Sequence, residues 1–147
     1  MKSSQLLVCA LSLFSCATGF AAEFRAVGAN PAIMYDAPSM RGRRVFIAPR
    51  GMPVEVVQTY GDWVRVHDVA GDLSWVESKA LVSRRNVVVR AMSVKLRASP
   101  EDNATPVFSA DRGVILEVVE GAPPGWVKVR HRDGLIGYAK VADVWGN

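Results

Sequence analysis

The chain has little of what chemistry needs. Its 147 residues hold two cysteines, Cys9 and Cys16, and two histidines, His67 and His131. Both cysteines precede residue 20, so the rest of the chain has no disulfide, no thiol nucleophile and no cysteine metal ligand. None of G-x-S-x-G, H-E-x-x-H or a Gly-rich phosphate loop occurs. No stretch reaches the roughly 18 consecutive apolar residues of a membrane helix. Helical periodicity is missing beyond the first twenty residues. These gaps argue against a hydrolase centre, a metal site or a bound cofactor. Charge is also modest: 18 Lys and Arg against 14 Asp and Glu give a net +4. In an exported chain that balance points to anionic envelope polymers more than to nucleic acid.

Export is the first thing the sequence does suggest. Lys2 precedes an apolar run, Leu6 to Phe14, too short to span a bilayer. Gly19-Phe20-Ala21 then puts small residues where a signal peptidase reads. The pattern predicts a signal peptide over residues 1–21, cut after Ala21. Leu13-Phe14-Ser15-Cys16 supports a competing expectation, a degenerate lipobox with lipid on Cys16, although Phe14 is bulkier than that pattern favours. About 126 residues remain, enough for one ordinary domain or two very small ones.

Those residues repeat. At an offset of 62, Pro38 falls on Pro100, Val45-Phe46 on Val107-Phe108, Arg50-Gly51 on Arg112-Gly113 and Glu55-Val56-Val57 on Glu117-Val118-Val119. One residue is inserted near Pro123-Pro124. At an offset of 63, Trp63-Val64 then meets Trp126-Val127, Val66 meets Val129, Gly71 meets Gly134 and Trp75 meets Tyr138. A unit of about 60 residues is a duplicated small domain, not a solenoid repeat. The expected boundaries are 22–85 and 86–147, and units this small gain from packing on each other.

Each unit reads as short strands. Trp63-Val64-Arg65-Val66-His67 alternates, with the valines on one face and Trp63, Arg65 and His67 on the other. Pro53 to Val57 is β-branched, and Leu73 to Val76 follows an Ala-Gly-Asp turn. Short strands between Gly and Pro turns imply an all-β chain of two small barrels.

Four segments, Ala32 to Pro38, Arg50 to Val54, Gly61 to Val66 and Ser74-Trp75-Val76, together resemble a bacterial SH3 domain. The second copy keeps Val94 to Pro100, Gly125 to Val129 and Ile136-Gly137-Tyr138. The resemblance covers Phe24 to Trp145 and is closest to exported proteins built of two such units. It implies two tandem SH3-like barrels of five or six strands each, a non-catalytic role and, by family analogy, a periplasmic location.

Candidate site residues follow from both readings. Trp63 and Arg65 sit on one strand face about 7 Å apart, an aromatic shelf beside a cation. In eukaryotic relatives a Tyr-Asp pair and the first Trp of a GDWW phrase line a peptide groove, and Tyr35, Asp36 and Trp63 are similar to those positions. Tyr60 joins them as a ligand-binding candidate. The run Trp75 to Leu81 lacks the proline and tyrosine that complete a polyproline groove. In the second copy Tyr35-Asp36 becomes Leu96-Arg97 at the motif level, so the first unit is the expected binder. Arg41, Arg43 and Arg44 form a basic cluster private to the first unit and suited to an anionic polymer. His67 and His131 do not align with each other and read as solvated strand-end residues. Glu55 and Glu117 read as solvent-exposed. Three functions compete: a peptidoglycan-binding module, an adaptor for an envelope protein, and an accessory or regulator of a wall hydrolase.

Overall fold

The computed structural model describes residues 21–147. The signal peptide expected over 1–21 lies almost wholly outside them. The first unit contains β1 (Glu23–Val27), β2 (Ala32–Tyr35), β3 (Arg44–Ala48), β4 (Pro53–Tyr60), β5 (Trp63–His67), β6 (Leu73–Glu77) and β7 (Leu81–Val82). The second contains β8 (Asn86–Val89), β9 (Ser93–Arg97), β10 (Pro106–Asp111), β11 (Ile115–Val119), β12 (Trp126–Arg130), β13 (Ile136–Lys140) and β14 (Val144–Trp145). All described pairings are antiparallel. The sheet orders are β3-β2-β6-β5-β4-β1-β7 and β10-β9-β13-β12-β11-β8-β14, one topology used twice.

Each sheet thus has seven strands, not the five or six expected. The difference comes from β1 and β8, which each pair with a long strand on one side and a two-residue strand on the other. A short 3-10 turn precedes each two-residue strand, Ser78–Ala80 and Val141–Asp143.

Alternation along the strands builds the two cores. Val64, Val66, Val54, Val76 and Met34 fill the first; Val127, Val129, Leu96 and Leu116 fill the second. Fully burying a Val or Leu side chain contributes roughly 1.5–3 kcal/mol. The outward partners on β5 are Trp63, Arg65 and His67, as the alternation predicts.

The units touch through few but specific contacts. Gly51 takes a left-handed turn at φ 79°, and its carbonyl accepts a 2.7 Å hydrogen bond from Asn86 Nδ2. Trp145 of the second unit meets Phe24 edge-on at 5.1 Å and lies 5.8 Å from the His67 ring. Beyond it Gly146 sits at φ 116°, where a Cβ would come within 2.7 Å of the Asn86 carbonyl.

That junction corrects two expectations. His67 is not a solvated loop residue. It ends β5 half-buried beneath Trp145, with Nε2 2.7 Å from Glu55 Oε2. Glu55 is correspondingly half-buried. His131 is also half-buried, with Nδ1 2.9 Å from Asp133 Oδ1 and its ring 5.9 Å from Phe108. Glu117 lies 3.8 Å from Arg130 Nη1.

Candidate functional site

The outward face of the first sheet gathers four aromatics. Cross-strand register places Tyr35 opposite Trp75, Trp75 opposite Arg65, and Trp63 opposite Tyr60. Tyr35 and Trp63 meet edge to face at 5.4 Å, and Tyr60 and Trp75 at 6.5 Å. Such pairs contribute about 0.5–1.5 kcal/mol beyond area burial and hold the rings in fixed orientations.

Tyr35 and Asp36 are placed differently from Trp63. Tyr35 is 2% exposed, because Trp63 lies across it and its hydroxyl reaches Met40 Sδ at 3.7 Å. It is the floor that supports Trp63. Asp36 closes a turn instead: Oδ1 accepts from the Arg43 backbone N–H at 2.8 Å, and Oδ2 lies 3.4 Å from Arg43 Nε.

Tyr60, Trp63 and Arg65 do come together. Tyr60 is 63% exposed at the tip of the β4–β5 hairpin. Arg65 is half-buried between Gln58 and Trp75 and forms no ion pair among the described residues. A cation beside aromatic residues and without a carboxylate partner is available to a ligand anion, and the rings offer stacking area. Beside this face lies an open concavity of about 350 Å³, lined by Pro31, Ile33, Met40, Glu77 and Lys79, with Tyr35 at its base. Trp75 was not a candidate from the sequence. Its signal was its alignment with Tyr138, an aromatic kept at one outward position in both copies.

The basic cluster lies in the turn from β2 to β3. Arg43 is engaged with Asp36; Arg41 and Arg44 are exposed. The structure does not bring them into the Trp63 cluster by any described contact.

The same position in the second unit is closed. Lys140 Nζ lies 5.8 Å from the Trp126 ring centroid, and Lys128 Nζ 5.7 Å from that of Tyr138. Asp102 Oδ1 holds Lys140 at 2.6 Å. The Lys140 hydrogen bond and charge, with Arg97 nearby, keep the Asp102 carboxyl below the usual carboxylate range. Among the described residues no group of three His, Cys, Asp or Glu could hold a metal ion.

Family comparison agrees with the geometry. One bacterial SH3 domain model matches residues 28–82, and a second bacterial SH3 domain model matches 93–144. No curated protein matches the chain. Among solved structures, NlpC2 from Trichomonas vaginalis is similar at 11% identity and a TM-score of 0.39, covering 86% of this chain and 49% of that one. NlpC1 from Trichomonas vaginalis gives 12%, 0.40, 94% and 51% in the same terms. An NlpC/P60 family protein from Bacillus cereus gives 15%, 0.37, 83% and 55%. The chain spans about half the length of these structures. By its matched segments and its doubled topology, the chain belongs to the bacterial SH3 domain family, with two such domains in tandem.

Proposed function

We propose that the protein is a non-catalytic binding module of the bacterial cell envelope that holds cell-wall peptide or glycan on the aromatic face of its first domain. The observation that carries this reading is Arg65, unpaired among the described residues, on the same β5 face as Trp63 and opposite Trp75 on β6. Wall polymer offers sugar-ring faces to stack on such rings and carboxylates to meet such a cation. The domain family supports a wall-related role. The leader-like first 21 residues support export, and no helix among the described residues is long and apolar enough to cross a membrane. The non-catalytic reading is supported by the place of the histidines. His67 is engaged at the junction and His131 packs on Phe108, both as structural contacts.

Co-sedimentation with purified peptidoglycan tests this. The wild type is expected in the pellet. Tyr60→Ala and Arg65→Ala are expected to lower retention by about tenfold, the loss that goes with roughly 1.4 kcal/mol. Tyr60 is exposed enough that its removal leaves the core intact. Wild-type protein that stays in the supernatant would remove the wall ligand.

A second reading rests on β3. This edge strand leaves Val45, Phe46 and Ile47 exposed with an open hydrogen-bonding side. An envelope protein could add a strand there. Crosslinking from Ile47 to one partner, with no affinity for wall, is the result that favours it.

A further inference from the structure

The outward face of the second sheet has a chemistry that the first lacks. Lys95 and Arg97 on β9, Lys128 and Arg130 on β12, and Lys140 on β13 all project away from the core, opposite buried Val94, Leu96, Val127, Val129 and Ala139. In the first unit the aligned positions are Ile33, Tyr35, Arg65, His67 and Glu77. Five cations thus replace one cation and one carboxylate on the same face of the same fold. The described pairings tie down part of this charge: Glu117 is near Arg130, and Asp102 holds Lys140. Lys95 and Lys128 form no ion pair among the described residues.

The neighbours narrow the ligand. The ring faces of Trp126 and Tyr138 are already approached by Lys140 and Lys128, so they are not free platforms for nucleic-acid bases. Arg97 Nη1 donates to the Ala104 carbonyl at 2.8 Å, which holds its guanidinium in place beside the lysine ammonium groups. Lys95, Trp126 and Lys140 line a furrow of about 340 Å³, together with Asp102 and Asp143. A furrow suits one strand of polymer better than the flat surface of a bilayer. Cations on adjacent strands recur about 5 Å apart, and along a strand about 7 Å apart.

We propose that this face is a second binding site, separate from the aromatic face of the first domain, and that it takes an acidic polysaccharide whose carboxylates meet the cations spread over β9, β13 and β12.

The probe is a fluorescent polygalacturonate oligomer, read by anisotropy with the full chain at low and at physiological salt. Tight binding at low salt is expected, weakening steeply as salt rises because the contacts are exposed charges. Lys95→Ala combined with Lys128→Ala is expected to weaken binding by about tenfold or more and to flatten the salt dependence. Lys128→Arg keeps the charge and is expected to bind nearly as the wild type. Trp63→Ala, and Arg41→Ala with Arg44→Ala, are expected to change affinity by less than about twofold, as distant sites act independently. No binding, or loss through the first-domain variants instead, would overturn the proposal. So would binding of neutral dextran, single-stranded DNA or anionic vesicles as tight as that of polygalacturonate. Failure here leaves the peptidoglycan test of the first domain standing, because the two tests use different residues.

Discussion

Phe46 and Phe108 occupy one position in the two domains and end differently. Phe108 packs against the second core and lies 5.9 Å from the His131 ring. Phe46 is 48% exposed. The residue aligned with His131 is Asp68, whose Oδ1 is spent on its own turn, accepting from the N–H groups of Ala70 at 2.9 Å and Asp72 at 3.0 Å. No ring among the described residues packs on Phe46, and a cavity of about 460 Å³ opens between Met34, Phe46, Met52, Val66 and Leu73. A duplicated backbone therefore need not give duplicated barrels. At the aligned position the second domain sets His131 beside Phe108, while the first spends Asp68 on its own turn. The ligand faces show the same lesson, with lysines standing over Trp126 and Tyr138 in the second domain and no such contact among the described residues of the first.

The sharpest way to test this contrast is to cut each core at one aligned position. Leu116 is fully buried, and Val54 stands at its place in the first domain. Leu116→Ala is expected to cost about 2–5 kcal/mol, a lost side chain plus the cavity it leaves. Val54→Ala removes fewer carbons beside a more open mouth and should cost less. Urea denaturation measures both. Equal losses would mean that the first core is as tight as the second.

A smaller effect is expected at Gly137. A Cβ there would come within 2.8 Å of Leu96 Cβ, an approach that real side chains do not make. The aligned residue in the first domain is Ser74, half-buried beside Val66, and the residue aligned with Leu96 there is the unbranched Met34. Gly137→Ala is expected to destabilise by about 1–3 kcal/mol through overpacking. Ser74→Ala should stay within about 0.5 kcal/mol. A tolerated alanine at 137 would show that β9 and β13 can move apart.

Smaller again is the contact that joins the domains. Trp145→Ala removes the edge-on pair with Phe24 and the cover over His67. The direct loss is about 0.5–1.5 kcal/mol. The more telling readout is the shape of the transition. Thermal unfolding followed by calorimetry should broaden or split as the two domains lose their coupling. An unchanged single transition would place the coupling in the remaining contacts, among them the Asn86–Gly51 hydrogen bond.

Much of this was legible in the sequence because repetition and alternation are local patterns. The strand Trp63 to His67, the inward valines and the tandem arrangement followed from period-two spacing and from an offset shared along the chain. The leading strands β1 and β8 add the extra member of each sheet, and only β8 carries a run of β-branched residues, Val87-Val88-Val89, that marks it as a strand. Side-chain destinations were harder. Tyr35 looked like a ligand residue by analogy, but its burial depends on Trp63 crossing from two strands away. His67 looked solvated because Trp145, which covers it, lies far along the chain. The basic face of the second domain was hidden for a related reason. Its cations are scattered over three strands, while the eye is drawn to the contiguous run of Arg41, Arg43 and Arg44.

The least of the expected effects concerns the cap on Trp126. Asp102 aligns with Met40, so the first domain has no titrating group where the second holds Lys140 in place. The Lys140 hydrogen bond and charge keep the Asp102 carboxyl below the usual carboxylate range. Its value in the unfolded chain is near the ordinary one, about 3.9. The ion pair therefore contributes fully above about pH 4 and is lost as pH falls through the lower folded value. Both groups are exposed, so salt weakens the effect and the gain in stability is small. Its signature is positional. The indole N–H resonance of Trp126 should move in one step below the ordinary carboxylate range, as Lys140 is released from its carboxylate and leaves the ring. That step should vanish in Asp102→Asn. If it persists in the variant, some other acid sets the position of Lys140, and the closing of the second domain's aromatic face does not depend on the residue that replaced Met40.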